Sequence, residues 1–248
     1  MSGHSKWSTI KRKKGALDAA RGKIFTKIIK EITIAARLGG GDEAANPRLR
    51  SAILKAKASN MPANNVERAI AKGTGTLEGV TYEEITYEGY GPCGVAIVVE
   101  TMTDNKNRTV SEVRYTFNKY GGSLGADGAV AWNFERQGLL TIAQGTLSED
   151  DVLMTLMDAG AENLELEDGE WLIYSQIANL ETLRKAAEAA GYEVRGSELT
   201  MTPKNSTRVE GNDVGKVVRM IEALEELDDV QNVYSNFDAD EDALANLE

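Results

Sequence analysis

The chain has 248 residues, 42% of them apolar and 27% charged. That usage excludes wholesale disorder, and the length suits about two domains of roughly 100–200 residues each. The single cysteine, Cys93, excludes an internal disulfide, and the single histidine, His4, leaves no cluster of thiolate or imidazole ligands for zinc, copper or an iron–sulfur centre. No apolar run approaches the roughly 18–20 residues of a membrane span. The basic run Lys11–Lys14 leads into Gly15, Ala16, Leu17 and Asp18 rather than an apolar stretch, so no secretory signal is expected and the expected place is a reducing cytoplasm.

The net charge of −11 joins two opposed parts. Residues 1–75 hold 16 Lys and Arg against 5 Asp and Glu, a balance of +11, while the remainder holds 12 against 34, a balance of −22. A basic segment of this size suits nucleic acid, an acidic protein surface or anionic lipid. Release of condensed counterions makes nucleic acid the partner it suits best.

In chain order, Gly3–Lys14 reads as an arm with too little apolar pattern to fold alone, in which Trp7 either anchors on the protein or stacks on a base. From Ala19 to Leu38, Ile24, Phe25, Ile28, Ile29, Ile32, Ala35 and Ala36 recur at spacings of three and four, the signature of one helix face. Gly39–Gly41 end that helix. Asn46 reads as an N-cap with Pro47 at the first helical position, and Pro62 opens a third helix that Gly73 closes. The basic part is therefore a small helical bundle. Its candidate nucleic-acid-binding residues are Lys6, Trp7, Lys11, Arg12, Lys13, Lys14, Arg21, Lys23, Lys27, Lys30, Arg48, Arg50, Lys55, Lys57, Arg68 and Lys72.

The acidic part alternates strands and helices. Residues 82–88 and 95–103 read as strands, 110–120 as a helix and 130–135 as a strand. Then 139–143, 149–159, 164–167, 171–174, 178–190 and 192–202 give strand, helix, strand, strand, helix, strand, the ferredoxin-like order. After Pro203 only strand 206–209, helix 214–226 and strand 230–237 follow. The predicted class is α+β in three domains: a basic arm and bundle (1–78), a discontinuous α/β domain (79–136 and 204–238) and an inserted ferredoxin-like domain (137–203), with an acidic tail (239–248). Two tandem units sharing a sheet are the other arrangement this order permits.

Chemical motifs fail their context tests. Gly89, Gly91 and Gly94 fit a dinucleotide fingerprint by spacing, but they enter a strand instead of opening a helix. Asp238, Asp240 and Asp242 begin like a calcium loop, yet Ala243 stands where glycine is needed. Cys93 reads as a small buried residue at a strand entry rather than a reactive thiol. No cofactor, metal or small-molecule substrate is expected, and no enzyme. One loop, Thr103–Thr109, leads from a strand into a helix with Asn105, Lys106, Asn107 and Arg108 at the helix start. Those four form a candidate anion site, against the plainer role of capping the helix. Gly121–Gly128 reads as tight turn geometry.

The stretches Gly3-His4-Ser5-Lys6-Trp7, Asn46-Pro47-Arg48-Leu49-Arg50, Asn60-Met61-Pro62, Tyr87-Glu88-Gly89-Tyr90-Gly91-Pro92, Thr103-Asp104-Asn105 with Asn107-Arg108-Thr109, and Gly121-Gly122 with Leu124-Gly125 together resemble the YebC/PmpR family over nearly the whole chain. The resemblance implies a three-domain cytosolic bacterial protein, and the family is named for transcriptional regulators that bind DNA. It also includes mitochondrial translational activators and ribosome-associated factors. It supplies no catalytic residue. Two functional readings follow: a DNA-binding regulator working through the basic module, or a translation factor that binds ribosomal RNA there and meets ribosomal or other basic proteins through its acidic domains.

Overall fold

The structure, a computed structural model, describes residues 20–240 and Ala243. Three helices open it: α1 (Ala20–Gly39), α2 (Pro47–Ala58) and α3 (Ala63–Gly73). Of the face expected on α1, Ile28, Ile32, Ala35 and Ala36 are buried, Phe25 and Ile29 are partly buried and Ile24 in the second turn is exposed; Leu49, Ala52, Ile53 and Ala56 are buried on α2. Asn46 sets the corner between them. Its side-chain oxygen accepts the Leu49 N–H at 3.1 Å, and its Nδ2 donates to the carbonyls of Ala35 (2.8 Å) and Gly40 (2.9 Å). The end of α3 packs so closely on α1 that a Cβ at Gly73 would lie 2.4 Å from the Thr33 carbonyl oxygen and 2.7 Å from Ala36 Cβ. Only glycine fits that crossing.

The class is α+β, with two four-stranded sheets and one small two-stranded sheet among the described residues. The first large sheet starts from the hairpin of β1 (Glu83–Tyr90) and β2 (Ala96–Thr103), turned through Pro92–Gly94. Cys93 in that turn is exposed with φ of 59°. This corrects the expectation of a buried thiol, because the reversal turns the residue outward. Then α4 (Lys106–Lys119) and β3 (Ser123–Leu124) follow, and after a long excursion β8 (Thr207–Arg208), α7 (Asn212–Glu225), β9 (Val230–Ser235) and β10 (Phe237–Asp238) complete the domain. Strand order is β3-β1-β2-β9, while β8 and β10 pair separately. Central β2 is buried on both faces: Ala96–Val99 form an apolar run, Thr101, Met102 and Thr103 are buried after it, and only Glu100 is partly exposed. Val113 and Phe117 of α4 and Val217, Ile221 and Leu224 of α7 share one core with Ile97, Val99, Val230 and Val233.

The excursion carries β4 (Phe134–Ala143), α5 (Glu149–Leu156), β5 (Ala161–Glu167), β6 (Glu170–Ser175), α6 (Leu180–Ala189) and β7 (Val194–Pro203). Its sheet runs β5-β6-β4-β7, the ferredoxin-like arrangement that the element order predicts. Leu140, Ile142, Trp171 and Ile173 of the sheet pack with Val152, Leu156, Leu183 and Ala187 of the helices. The strand expected at 130–135 does not form as such. The N–H groups of Gly128, Val130 and Ala131 donate to the Glu88 carboxylate at 2.7–2.8 Å, so this backbone is bonded to a side chain and the strand begins only at Phe134.

By contacts the chain divides into two compact units. One takes the chain through Lys30, Gly79–Glu135 and the part from Thr202 onward; the other takes Glu31–Glu78 and Arg136–Met201. The division cuts α1 after Lys30. No described helix is long and apolar enough to cross a membrane.

Candidate nucleic-acid interface

The basic residues proposed from sequence separate into four groups. Lys6, Trp7, Lys11, Arg12, Lys13 and Lys14 lie outside the described residues, and Arg21 falls in the first turn of α1. The next three, Lys23, Lys27 and Lys30, recur one turn apart on α1 and bond to the end of α7 within the first unit. Lys23 pairs with the Glu226 carboxylate and donates to the Glu226 carbonyl at 3.1 Å. Lys27 donates to the carbonyl of Glu225 at 2.9 Å, and Lys30 to that of Asp228 at 2.9 Å. A helix C-terminus presents unpaired carbonyls and a partial negative charge, so cations settle there.

Lys30 goes deeper, with only 6% of its surface exposed, and its Nζ lies 2.7 Å from Oδ1 of Asp229, itself 2% exposed. The other carboxylate oxygen accepts from Thr103 Oγ1 (3.0 Å), Thr109 Oγ1 (2.8 Å) and Arg108 Nη2 (2.7 Å). Burial opposes the charge on Asp229, but the hydrogen bonds from Lys30, Arg108 and Thr109 outweigh it and hold the carboxyl at about 2. The same bond to Asp229, followed by that to Asp104, raises Arg108 above its ordinary range.

The loop proposed to hold an anion is therefore built around one already: the carboxylate of Asp229. Asn105 caps α4, its Oδ1 accepting the Arg108 N–H at 3.1 Å. Lys106 pairs with Glu83 at 2.5 Å, Arg108 also with Asp104 at 2.7 Å, and the Asn107 carbonyl accepts from Ser111 Oγ at 2.7 Å.

In the second unit four more candidates carry carboxylate partners. Arg48 grips Glu31 through Nε (2.7 Å) and Nη2 (3.2 Å). Arg50 reaches Glu181 at 2.6 Å and the carbonyls of Glu43 and Ala44. Glu181 is held at about 2, chiefly by its hydrogen bond from Arg184. Lys55 meets Glu198 at 3.2 Å and Lys57 lies 3.9 Å from Glu43, both pairs well exposed.

Two candidates, Arg68 and Lys72, are exposed one turn apart on α3, and neither has a carboxylate partner among the described residues. Arg37, absent from the sequence candidates, shares this condition. The close fit of Gly73, whose Cβ would lie 3.2 Å from the Arg37 backbone nitrogen, brings the end of α1 beside the turn that carries Lys72. The signal for Arg37 was its place in the last turn of α1, next to the glycines that end the helix.

The fold thus defines an α+β protein with a basic helical N-terminal part followed by two four-stranded sheets, each with its own helices. Residues 5–76 match the model of the TACO1/YebC protein N-terminal domain, and residues 82–237 match that of the TACO1/YebC second and third domain. The chain belongs to the TACO1/YebC family. A relative from Desulforapulum autotrophicum, named probable transcriptional regulatory protein, is 57% identical over 96% of both chains. One of the same name from Chlorobaculum tepidum is 51% identical over 100% of this chain and 99% of its own. The crystal structure of a conserved hypothetical protein from Aquifex aeolicus superposes with a TM-score of 0.88 at 44% identity, covering 96% of this chain and 98% of that one.

Proposed function

We propose that this chain is a non-enzymatic regulator of gene expression in the cytoplasm that binds DNA through its basic N-terminal module. In this reading the module is residues 1–78, the discontinuous domain 79–136 with 204–238, and the inserted domain 137–203. The observation that carries it is the charge division, +11 in residues 1–75 against −22 in the rest, together with exposed Arg37, Arg68 and Lys72 that no carboxylate of the described residues neutralises. Regulator names among relatives identical at more than half of their positions support the same reading. Lys23, Lys27 and Lys30 serve the fold instead, so phosphate contacts fall to Arg37, Arg68, Lys72 and the residues of the arm.

The net negative charge of the two α/β domains weakens non-specific phosphate contacts there, so duplex binding rests on the basic module. The test is the affinity of the full chain for duplex DNA and for ribosomal RNA fragments as a function of salt. A logarithmic slope of roughly −5 is expected, at about −0.9 per phosphate neutralised on duplex DNA. A slope near zero on both would remove the electrostatic basis, and preference for the RNA would assign the module to the ribosome. Crosslinking in cells with sequencing of both DNA and RNA partners then identifies the target.

A further inference from the structure

The two glycine-bearing motifs Tyr87–Pro92 and Gly121–Gly128 have no part in the basic module, yet the fold locks them together. Gly89 pairs with Leu124 and Tyr90 with Ser123 across β1 and β3. A Cβ at Gly89 would lie 2.5 Å from the Phe117 ring, and one at Gly122 would lie 2.5 Å from the Tyr90 carbonyl oxygen. Beyond β3, the Glu88 carboxylate takes three backbone N–H groups of the loop, and these bonds lower its pKa against the opposing effect of burial. Val130 is fully buried, and Asn133, 3% exposed, ties the loop to the returning chain: its carbonyl accepts the Lys204 N–H at 2.7 Å and its Oδ1 the Asn205 N–H at 3.1 Å.

Between these anchors Trp132 stands 65% exposed, with Tyr90 beside it at 39%. Trp132 Nε1 donates to the Ala129 carbonyl at 3.1 Å, and Tyr90 Oη donates to the same oxygen at 2.9 Å. Two large rings are thus oriented by one acceptor on a backbone fixed from both sides.

We propose that Trp132 and Tyr90 form a stacking platform for an unpaired nucleobase, so that the discontinuous domain binds single-stranded nucleic acid. The inference rests on the reading that the chain binds nucleic acid and adds a second point of contact to it. Both hydrogen-bond donors of the pair are taken by the Ala129 carbonyl, which leaves the ring faces and the acceptor side of the Tyr90 hydroxyl. Faces stack on any base, whereas a proline-rich peptide would need those donors for its own carbonyls. Lys204, exposed and without a carboxylate partner among the described residues, follows directly on the bond to Asn133 and supplies a cation for the strand's phosphates. The rigid mounting lowers the ordering cost of binding.

The test measures the full chain against 12-nucleotide single strands of RNA and of DNA, and against the DNA duplex, by fluorescence anisotropy. Trp132→Ala is expected to weaken single-strand binding by about 5- to 150-fold, the range of one base–aromatic stack, while duplex binding and thermal unfolding stay unchanged. Trp132→Phe is expected to retain most of the affinity. The RNA and DNA arms distinguish the source of the base. Single-strand binding by Trp132→Ala at the wild-type level, or an equal loss on duplex, overturns the platform and leaves the basic module standing. If the wild-type chain binds no oligonucleotide, the nucleic-acid reading itself fails and takes the platform with it. Trp132-dependent binding of a polyproline decamer without oligonucleotide binding would assign the pair to a protein partner and overturn the proposal.

Discussion

Lys30 on α1 and Lys72 on α3 come from the same basic stretch of sequence and meet opposite fates. Lys30 is buried against Asp229, which also takes Arg108, Thr103 and Thr109; Lys72, with Arg68 and Arg37, faces solvent with no carboxylate among the described residues. A count of positive charges therefore overstates what a basic segment has left for a polyanion. Cations that have already exchanged water for a carboxylate contribute to the fold, and only the rest can release counterions from nucleic acid.

The contrast is sharpest in stability. Removing the shared carboxylate with Asp229→Ala leaves Lys30 buried without a counter-charge, and is expected to cost about 3–5 kcal/mol. Arg68→Ala is expected to stay within about 0.5 kcal/mol. Chemical denaturation of the two variants compares them directly, and equal costs would erase the distinction. In binding the order reverses. Reversing Arg37, Arg68 and Lys72 together to Glu should make the salt slope shallower by roughly 3 and weaken duplex binding roughly 100-fold at about 0.15 M salt if each contacts one phosphate. The fold should be unaffected, and retention of the full slope would show that these residues touch no phosphate.

Acid offers a third comparison. Asp229 is held at about 2 against an ordinary 3.8, so its contribution is fully present above the unfolded value and is lost as pH falls from about 4 toward 2. A loss of about 2 kcal/mol is expected over that interval, measured by denaturant melts at successive pH values, and Asp229→Asn should flatten it. The smallest effect belongs to the exposed pairs. Lys57→Ala removes a partner of Glu43 at 3.9 Å with 66% of its side chain exposed, and is expected to change stability by less than about 0.5 kcal/mol. A larger change in the same melts would show a structural role for that lysine.

Local chemistry was legible wherever residues near in sequence suffice to determine it. The Asn46 cap with Pro47 after it, the glycine stop of α1 and the βαββαβ order of the inserted domain all follow from patterns a few residues long, and each is present. The strand expected at 130–135 failed for a long-range reason: a carboxylate some 40 residues earlier, at Glu88, takes the N–H groups of Gly128, Val130 and Ala131. Cys93 failed because apolar character at a strand entry does not reveal which way a tight turn faces. At the candidate interface, lysine spacing on α1 showed that Lys23, Lys27 and Lys30 share one side of the helix, but not that the side is occupied.

The order of amino acids by itself determined most of the helices and strands, the α+β class, and the concentration of positive charge at one end, because periodicity, caps and net charge are sums over neighbours along the chain. Which of those charges stay available, and which aromatic rings end up exposed on rigid backbone, was decided only in three dimensions. The carboxylate partner of Lys30 lies 199 residues away at Asp229, and Trp132 and Tyr90, 42 residues apart, share the Ala129 carbonyl in a fold where β3 pairs with β1. Coulomb and hydrogen-bond interactions depend on distance through space, and spacing along the chain does not carry that distance.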